Sequence, residues 1–304
     1  MGTDVRLMSD YLGMVTDEMK KKYEGMPAII ADTLAIETES AQSAGALGFL
    51  ARAMVQATLP HTRVEGNEFE RRNGAYTLHL LAPAKIGLPY GSIPRLLLAW
   101  LTTEAVRTQE RELFLGDTLS KFMAELDMIP TGGRWGSITR LKDQTSRLFA
   151  STVSATYRDK KTQTEAGFRL ADRSTLWWDP KSPEQAALWQ SSVRLSETFF
   201  NEVIAHPIPV DMRAIKALKK SPMALDIYAW MTYRASYTTK ESEIPWPALA
   251  MQFGADYGRI RAFREAFIGA LKKVHTVYAG ANFEVSERGL IIKPSRPHIG
   301  RAGG

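Results

Sequence analysis

The clearest alternation of apolar and polar positions lies in the last fifth of the chain. Between Gly258 and His275, Ile260, Phe263, Phe267, Leu271 and Val274 recur at steps of three and four. That spacing predicts a helix with one buried stripe. Its other faces carry Arg259, Arg261, Ala262, Arg264, Glu265, Gly269, Lys272 and Lys273. A short helix over Pro245–Gln252 precedes it, and Phe253-Gly254-Ala255-Asp256 reads as the turn between them. Gly254 tolerates the left-handed conformation that ends a helix, and Asp256 can cap the next one. Beyond the helix, Phe283 and Val285 alternate, Ser286-Glu287-Arg288-Gly289 has turn chemistry, and Leu290-Ile291-Ile292 returns as a strand. Helix, turn, helix and hairpin in that order predict a winged helix-turn-helix.

The same order is legible upstream. Residues 91–108 form an apolar helix that Ser92 can cap, and a second helix runs from about Asp117 to Leu126. After the turn Pro130-Thr131-Gly132-Gly133, a third begins near Trp135, with Ile138, Leu141, Thr145 and Leu148 inward and Gly136, Thr139, Arg140, Asp143 and Arg147 outward. Strands follow over 151–157 and 166–170, with a charged tip over 158–164 between them. Nearer the N-terminus, residues 43–60 predict a helix that Pro60 stops. Thr62–Val64 and Phe69–Leu81 read as strands, the latter hinged at Arg72-Asn73-Gly74. Trp177, Trp178 and Trp189 read as core or inter-domain seam. His206-Pro207-Ile208-Pro209 reads as a linker, because two prolines cannot continue a helix. Asp211 then caps a helix over Met212–Tyr237, interrupted near Ser221-Pro222.

The expectation is an α+β fold, mostly helical, with two tandem winged helix-turn-helix domains. An N-terminal extension covers 1–42, a first winged domain 43–196 and a second 197–304, with a loose tail from 294.

Composition narrows the chemistry. A chain of 304 residues is long enough for two domains of ordinary size. The net charge of +6 is moderate for this length and fits a polyanionic partner. The absence of cysteine removes disulfides, thiolate metal sites and cysteine nucleophiles. No apolar run is long enough to cross a bilayer and no signal-peptide pattern is visible, so a soluble, cytoplasmic protein without membrane contact is expected. His61, His79, His206, His275 and His298 are not spaced as metal ligands, and neither HExxH nor GxxxxGK[ST] occurs. A nuclease or recombinase needs a carboxylate cluster or a tyrosine nucleophile with basic helpers, and neither is evident. The expectation is therefore a protein that is not an enzyme and uses no metal or cofactor.

The basic helix face suggests the partner. Ala262 and Gly269 leave it low in bulk, and the guanidinium groups sit at its N-terminal end, a form suited to a DNA major groove. A solvated helix face carries the same residue types; the flanking helix, turn and hairpin favour DNA. Gly132-Gly133-Arg134-Trp135-Gly136 can hold a phosphate on free N–H groups, or serve as a plain turn.

Three longer strings carry a resemblance: GFLARAMVQATLPH (48–61), GLPYGSIPRLLLAWLTTEAVRT (87–108) and GGRWGSITRLKDQTSRLF (132–149). They resemble RepA-type plasmid replication initiators of bacteria, over most of the chain after residue 45. The layout of the second winged unit is similar to initiators that bind directly repeated origin sequences, the iterons. The resemblance implies a protein that binds double-stranded plasmid origin DNA, helps melt an adjacent AT-rich segment, and recruits the host replication initiator and replicative helicase. It also implies control of plasmid copy number through a monomer–dimer equilibrium, with the first domain mixing dimerisation and DNA contact and the second reading bases. Base contacts would come from Arg259, Arg261, Arg264 and Glu265, with Tyr257 beside them. A second set would come from Arg134, Thr139, Arg140 and Arg147. Phosphate contacts would include Arg158, Lys160, Lys161, Lys272 and Arg288. The alternative is a winged-helix transcriptional repressor with no initiator activity.

Overall fold

A strand β1 (Leu47–Ala51) runs directly into a short helix α1 (Arg52–Gln56), and the hairpin β2 (Glu68–Asn73) and β3 (Tyr76–Leu81) follows. Gly74 makes that turn possible at φ +59°, where a side chain would be strained. Helix α2 (Ser92–Thr108), strand β4 (Glu112–Phe114), helices α3 (Leu119–Glu125) and α4 (Ser137–Ala150), and strands β5 (Thr152–Arg158), β6 (Gln163–Arg169) and β7 (Ala171–Thr175) come next. After β8 (Ser192–Leu195) the chain forms α5 (Glu197–Ala205), β9 (Pro207–Asp211), α6 (Met212–Leu218) and α7 (Pro222–Ala235). It ends with β10 (Ser242–Pro245), α8 (Trp246–Phe253), α9 (Ile260–Val277), β11 (Phe283–Val285) and β12 (Gly289–Ile292). This computed structural model describes residues 33, 35–158, 163–176, 191–254 and 257–300.

The fold is a mixture of helices and antiparallel sheets. The sheets are ordered β2-β3-β5-β6, β4-β8-β7, β10-β12-β11 and β1-β9. Sheet takes segments that local pattern assigns elsewhere, which is why helix dominates less than expected. Residues 47–51, expected inside a helix, pair with 207–211, of which 207–209 are expected in a linker, in the register Phe49↔Pro209 and Ala51↔Pro207; Asp211 caps the next helix as expected. Both strands of a two-stranded sheet are edges, where a proline's missing N–H is tolerated. Gly48 lies close under Met212: a Cβ there would meet its Sδ at 2.4 Å, so a side chain would have to displace the methionine. Phe49 N–H also donates to Thr103 Oγ1 at 2.9 Å, so β1 is held from α2 as well. Residues 62–64, expected as a strand, are irregular.

Two helices are buried nearly all round, the form expected of central helices. In α2, Pro94 to Thr102 are buried without interruption, and in α7 Met223 to Thr232 are. They belong to different halves of the chain, and one apolar cluster runs through both. Where they meet, Arg95 Nε and Nη2 donate to Asp226 Oδ1 and Oδ2 at 2.7 and 2.6 Å. Arg95 also donates to the carbonyls of Leu59, Pro60 and Gly91. His61 Nε2 lies 2.7 Å from Asp226 Oδ2. Burial pushes the Asp226 carboxyl up, but Arg95 and His61 outweigh it and hold the group below its ordinary range. For His61 burial wins over the attraction of Asp226 and keeps the ring below its ordinary value. The imidazole is then neutral and donates from Nε2.

Further contacts close the same seam. Gln252 Nε2 donates to Gln56 O at 3.2 Å, and Thr58 Oγ1 donates to Gln252 O at 3.3 Å. The tail is held through residue 298, against the expectation of a loose end: His298 stacks on Tyr278 at 4.7 Å and lies 2.7 Å from the Tyr228 hydroxyl. Trp177, Trp178, Trp189 and the expected cap Asp256 lie outside the described residues.

Candidate nucleic-acid interface

Helix α9 runs two residues later than the apolar pattern implies, and its buried stripe begins about one turn later. Phe263, Phe267, Ala270, Leu271, Val274 and Val277 are buried, whereas Ile260 is 49% exposed. The first position of the predicted stripe is therefore on the surface, because the helix starts there and has no preceding turn to cover it. Gly254, before it, has φ −121°, so its role is not a left-handed turn. It is close approach: a Cβ would meet Phe263 Cδ2 at 2.5 Å. Phe253, Phe263 and Phe267 then pack ring on ring and fix α9 against α8.

The outward face of α9 carries Arg261, Ala262, Glu265, Gly269, Lys272 and Lys273, all exposed. No atom of the chain lies within 4 Å of where a Gly269 Cβ would be. Arg259 is the exposed N-cap residue, and Tyr257 just before it rests edge-on against Phe263 at 5.8 Å. Arg261 Nε donates to Glu265 Oε1 at 3.1 Å, with the side chains 89% and 68% exposed. A pair that open contributes about 0.3–0.5 kcal/mol. A bidentate guanine contact is worth about 1–3 kcal/mol, so the pair is a small obstacle to base reading.

Arg264 has a different place. Its guanidinium lies 5.3 Å over the Trp246 ring, and Nη2 donates to Ser286 O at 3.4 Å. Trp246 Nε1 donates to the same carbonyl, and Trp246 N to Arg288 O at 3.0 Å. Arg264 and Trp246 thus bind the β11–β12 turn to α9 and leave Arg288 exposed at its tip. The turn is knotted at Ser286, whose Oγ accepts from Arg288 N and Gly289 N.

In the first half, α4 buries Ile138, Leu141, Gln144, Thr145, Leu148 and Phe149. Thr139 and Arg140 are exposed on its outer face and Arg134 just before it. Gly136, expected outward, is buried where the loop folds under it. Arg147 is also redirected. It donates to Asp143 at 2.8 Å and Leu88 O at 3.3 Å, lies over Tyr90, and is only 14% exposed. Its charge holds the 87–90 loop onto α4. Arg158 is exposed at the end of β5, while Lys160 and Lys161 lie outside the described residues. The structure therefore groups Tyr257, Arg259, Arg261, Glu265 and Lys272 along α9 with Arg288 on the adjoining turn. Arg134, Thr139 and Arg140 sit together at the start of α4. Sequence reasoning passed over Trp135, which is 80% exposed beside Arg134. The position lies three residues before Ile138, in phase with the buried stripe, and nothing local marks it as outside the helix.

Among the described residues no helix is long and apolar enough to cross a membrane. A family model described as "Plasmid encoded RepA protein" matches residues 88–245, more than half of the chain. The chain belongs to the plasmid-encoded RepA family. RepA membership places it among plasmid replication initiators and implies interaction with origin DNA and the replication machinery. The match begins just before α2 and ends at β10, so α4 falls inside it and α9 beyond it. A solved structure of domains 2 and 3 of RctB, as its selenomethionine derivative, has a similar fold. The TM-score is 0.52 at 10% identity, over 80% of this chain and 95% of that one. Because that alignment takes in four-fifths of the chain, the likeness of fold extends beyond the family match. No curated protein sequence matches the chain.

Proposed function

We propose that this RepA protein initiates plasmid replication by binding iterons in its origin through two winged helix-turn-helix units. Helix α9 would enter a major groove with Arg259, Arg261 and Glu265 at base edges and Tyr257 beside them. Arg288 and Lys272 would neutralise phosphates on either side, and α4 would make the second contact through Arg134, Thr139 and Arg140. Arg158, with Lys160 and Lys161, would follow the backbone. Arg264 and Arg147 act as positioning residues: the first fixes the hairpin, the second the 87–90 loop. The observation that carries the reading is the exposed basic face of α9, which has a turn locked beside it by Trp246, Arg264 and Ser286. Bound copies would strain the adjacent AT-rich DNA and recruit the host replication initiator and helicase, with dimers as the form that restrains copy number. All of this is binding work and requires no catalytic group.

The test is a footprint of the purified protein on DNA flanking its own gene, at about physiological salt with excess random competitor. Protection of several evenly spaced direct repeats is expected. A single protected inverted repeat over the promoter would instead identify a repressor, and diffuse protection abolished by modest salt would remove sequence-specific binding altogether.

A further inference from the structure

Trp135 and Ile129 are the most exposed large apolar side chains among the described residues, at 80% and 82%. Both belong to the segment joining α3 to α4. Their exposure is not slackness, because the segment is tied to itself. Thr131 N donates to Ser137 Oγ at 2.9 Å, Ser137 N to Thr131 Oγ1 at 2.8 Å, and Ser137 Oγ to Ile129 O at 2.6 Å. Thr139 Oγ1 closes the far side by donating to Gly133 O at 2.9 Å. Gly136 fits so tightly that a Cβ would meet Thr131 O at 2.2 Å. A rigid loop therefore presents the indole outward.

The surroundings of the indole say what would cover it. Arg134 lies with its guanidinium 5.1 Å from the Trp135 ring centroid. From Ile129 to Arg140 no residue is acidic, and Arg134 and Arg140 are both exposed. A broad apolar ring with a guanidinium against it, in a stretch without acidic residues, suits a planar apolar face carried on an anionic chain. A nucleobase on its phosphate backbone has both properties.

We propose that Trp135, with Arg134 against it, is a stacking platform for a nucleobase that has left its stack in origin DNA. The proposal rests on the DNA-binding reading above and deepens it. Helix α4 holds the duplex through Thr139 and Arg140, and the indole takes a base face exposed either at a kinked step or in an unpaired strand. Every base has such a face, so the platform reads opening of the duplex and not its sequence.

The test uses the full-length protein as wild type, Trp135→Ala and Trp135→Phe, with circular dichroism to verify folding. Anisotropy titrations compare three probes: the footprinted duplex, the same duplex with a short mismatched bubble, and an oligothymidylate strand. Trp135→Ala is expected to lose about tenfold or more on the bubble and the strand, and Trp135→Phe to keep most of it. Equal loss on the intact duplex assigns the base to a kinked step, while loss confined to the open probes assigns it to an unpaired strand. Trp135→Ala binding all three probes as the wild type does overturns the platform, and if that variant still fails in initiation, the indole serves a protein partner. A wild-type protein that binds none of the probes sinks the DNA reading first and the platform with it.

Discussion

Removing the Asp226 carboxylate tests the join between the two halves of the chain. The Arg95–Asp226 side chains are 8% and 9% exposed, and the pair is bidentate. In Asp226→Ala the guanidinium stays buried. It keeps only the carbonyls of Leu59, Pro60 and Gly91, which take three of its five N–H groups; Nε and one hydrogen of Nη2 lose their acceptor and the charge is left unbalanced. Breaking such a pair costs about 3–5 kcal/mol. Total stabilities lie near 5–15 kcal/mol, so the loss is a large share of what holds the protein together. Urea unfolding followed by far-UV circular dichroism should show the midpoint falling by that equivalent with an unchanged slope. The double variant Arg95→Met/Asp226→Leu removes both charges. It leaves three carbonyls without this donor, at about 1 kcal/mol each, so it should be no less stable than Asp226→Ala. A loss below about 1 kcal/mol in Asp226→Ala would mean that water reaches the pair and that the seam is open in solution.

Other outcomes follow from named contacts. Burial holds both His61 and His298 below their ordinary value of 6.5, so the unfolded chain takes up these protons first. Their contribution to stability should be complete above about pH 6.5 and decline as pH falls below it, and His61→Gln should flatten that decline in pH-dependent thermal melts. Asp226 adds a second loss near and below its ordinary 3.8, since its folded value is the lower one. At Gly289 a Cβ would meet Ile244 O at 2.0 Å and Pro245 Cα at 2.9 Å, so Gly289→Ala should cost about 2 kcal/mol or more in urea unfolding by forcing β12 off β10. Arg261→Ala should weaken specific DNA binding by about 1–3 kcal/mol, change stability by no more than about 0.5 kcal/mol, and affect random DNA less. Equal weakening on both DNAs in competition titrations would make it a phosphate contact. Arg264→Ala should lower stability as well as affinity, because Arg264 holds the hairpin turn.

Much of the local structure could be read from periodicity alone. The α9 stripe, the Asn73-Gly74 turn, α2, α4 and the break before Pro222 all announce themselves within a few residues. What could not be read depends on partners far away in sequence. Nothing inside 47–51 distinguishes a strand from the start of a helix until 207–211 arrives to pair with it. The same holds for charge: Arg147 and Arg261 look alike on a helical wheel. Only the packing of Tyr90 and Leu88 turns the first inward while the second stands 89% exposed. Trp135 was hidden for the opposite reason, since its phase matched a buried stripe that begins only after Gly136.

The pairing of β1 with β9 also sets an order of events during synthesis. The two strands lie about 160 residues apart along the chain, a long contact to close. While a ribosome is still making the first half, β1 has α2 beside it but no strand partner, and presents an open, largely apolar edge. The first half cannot finish folding until Pro207–Asp211 has emerged, and Arg95 waits equally for Asp226. A nascent chain halted between these points is thus an aggregation hazard, and the cell has reason to translate this stretch without pause.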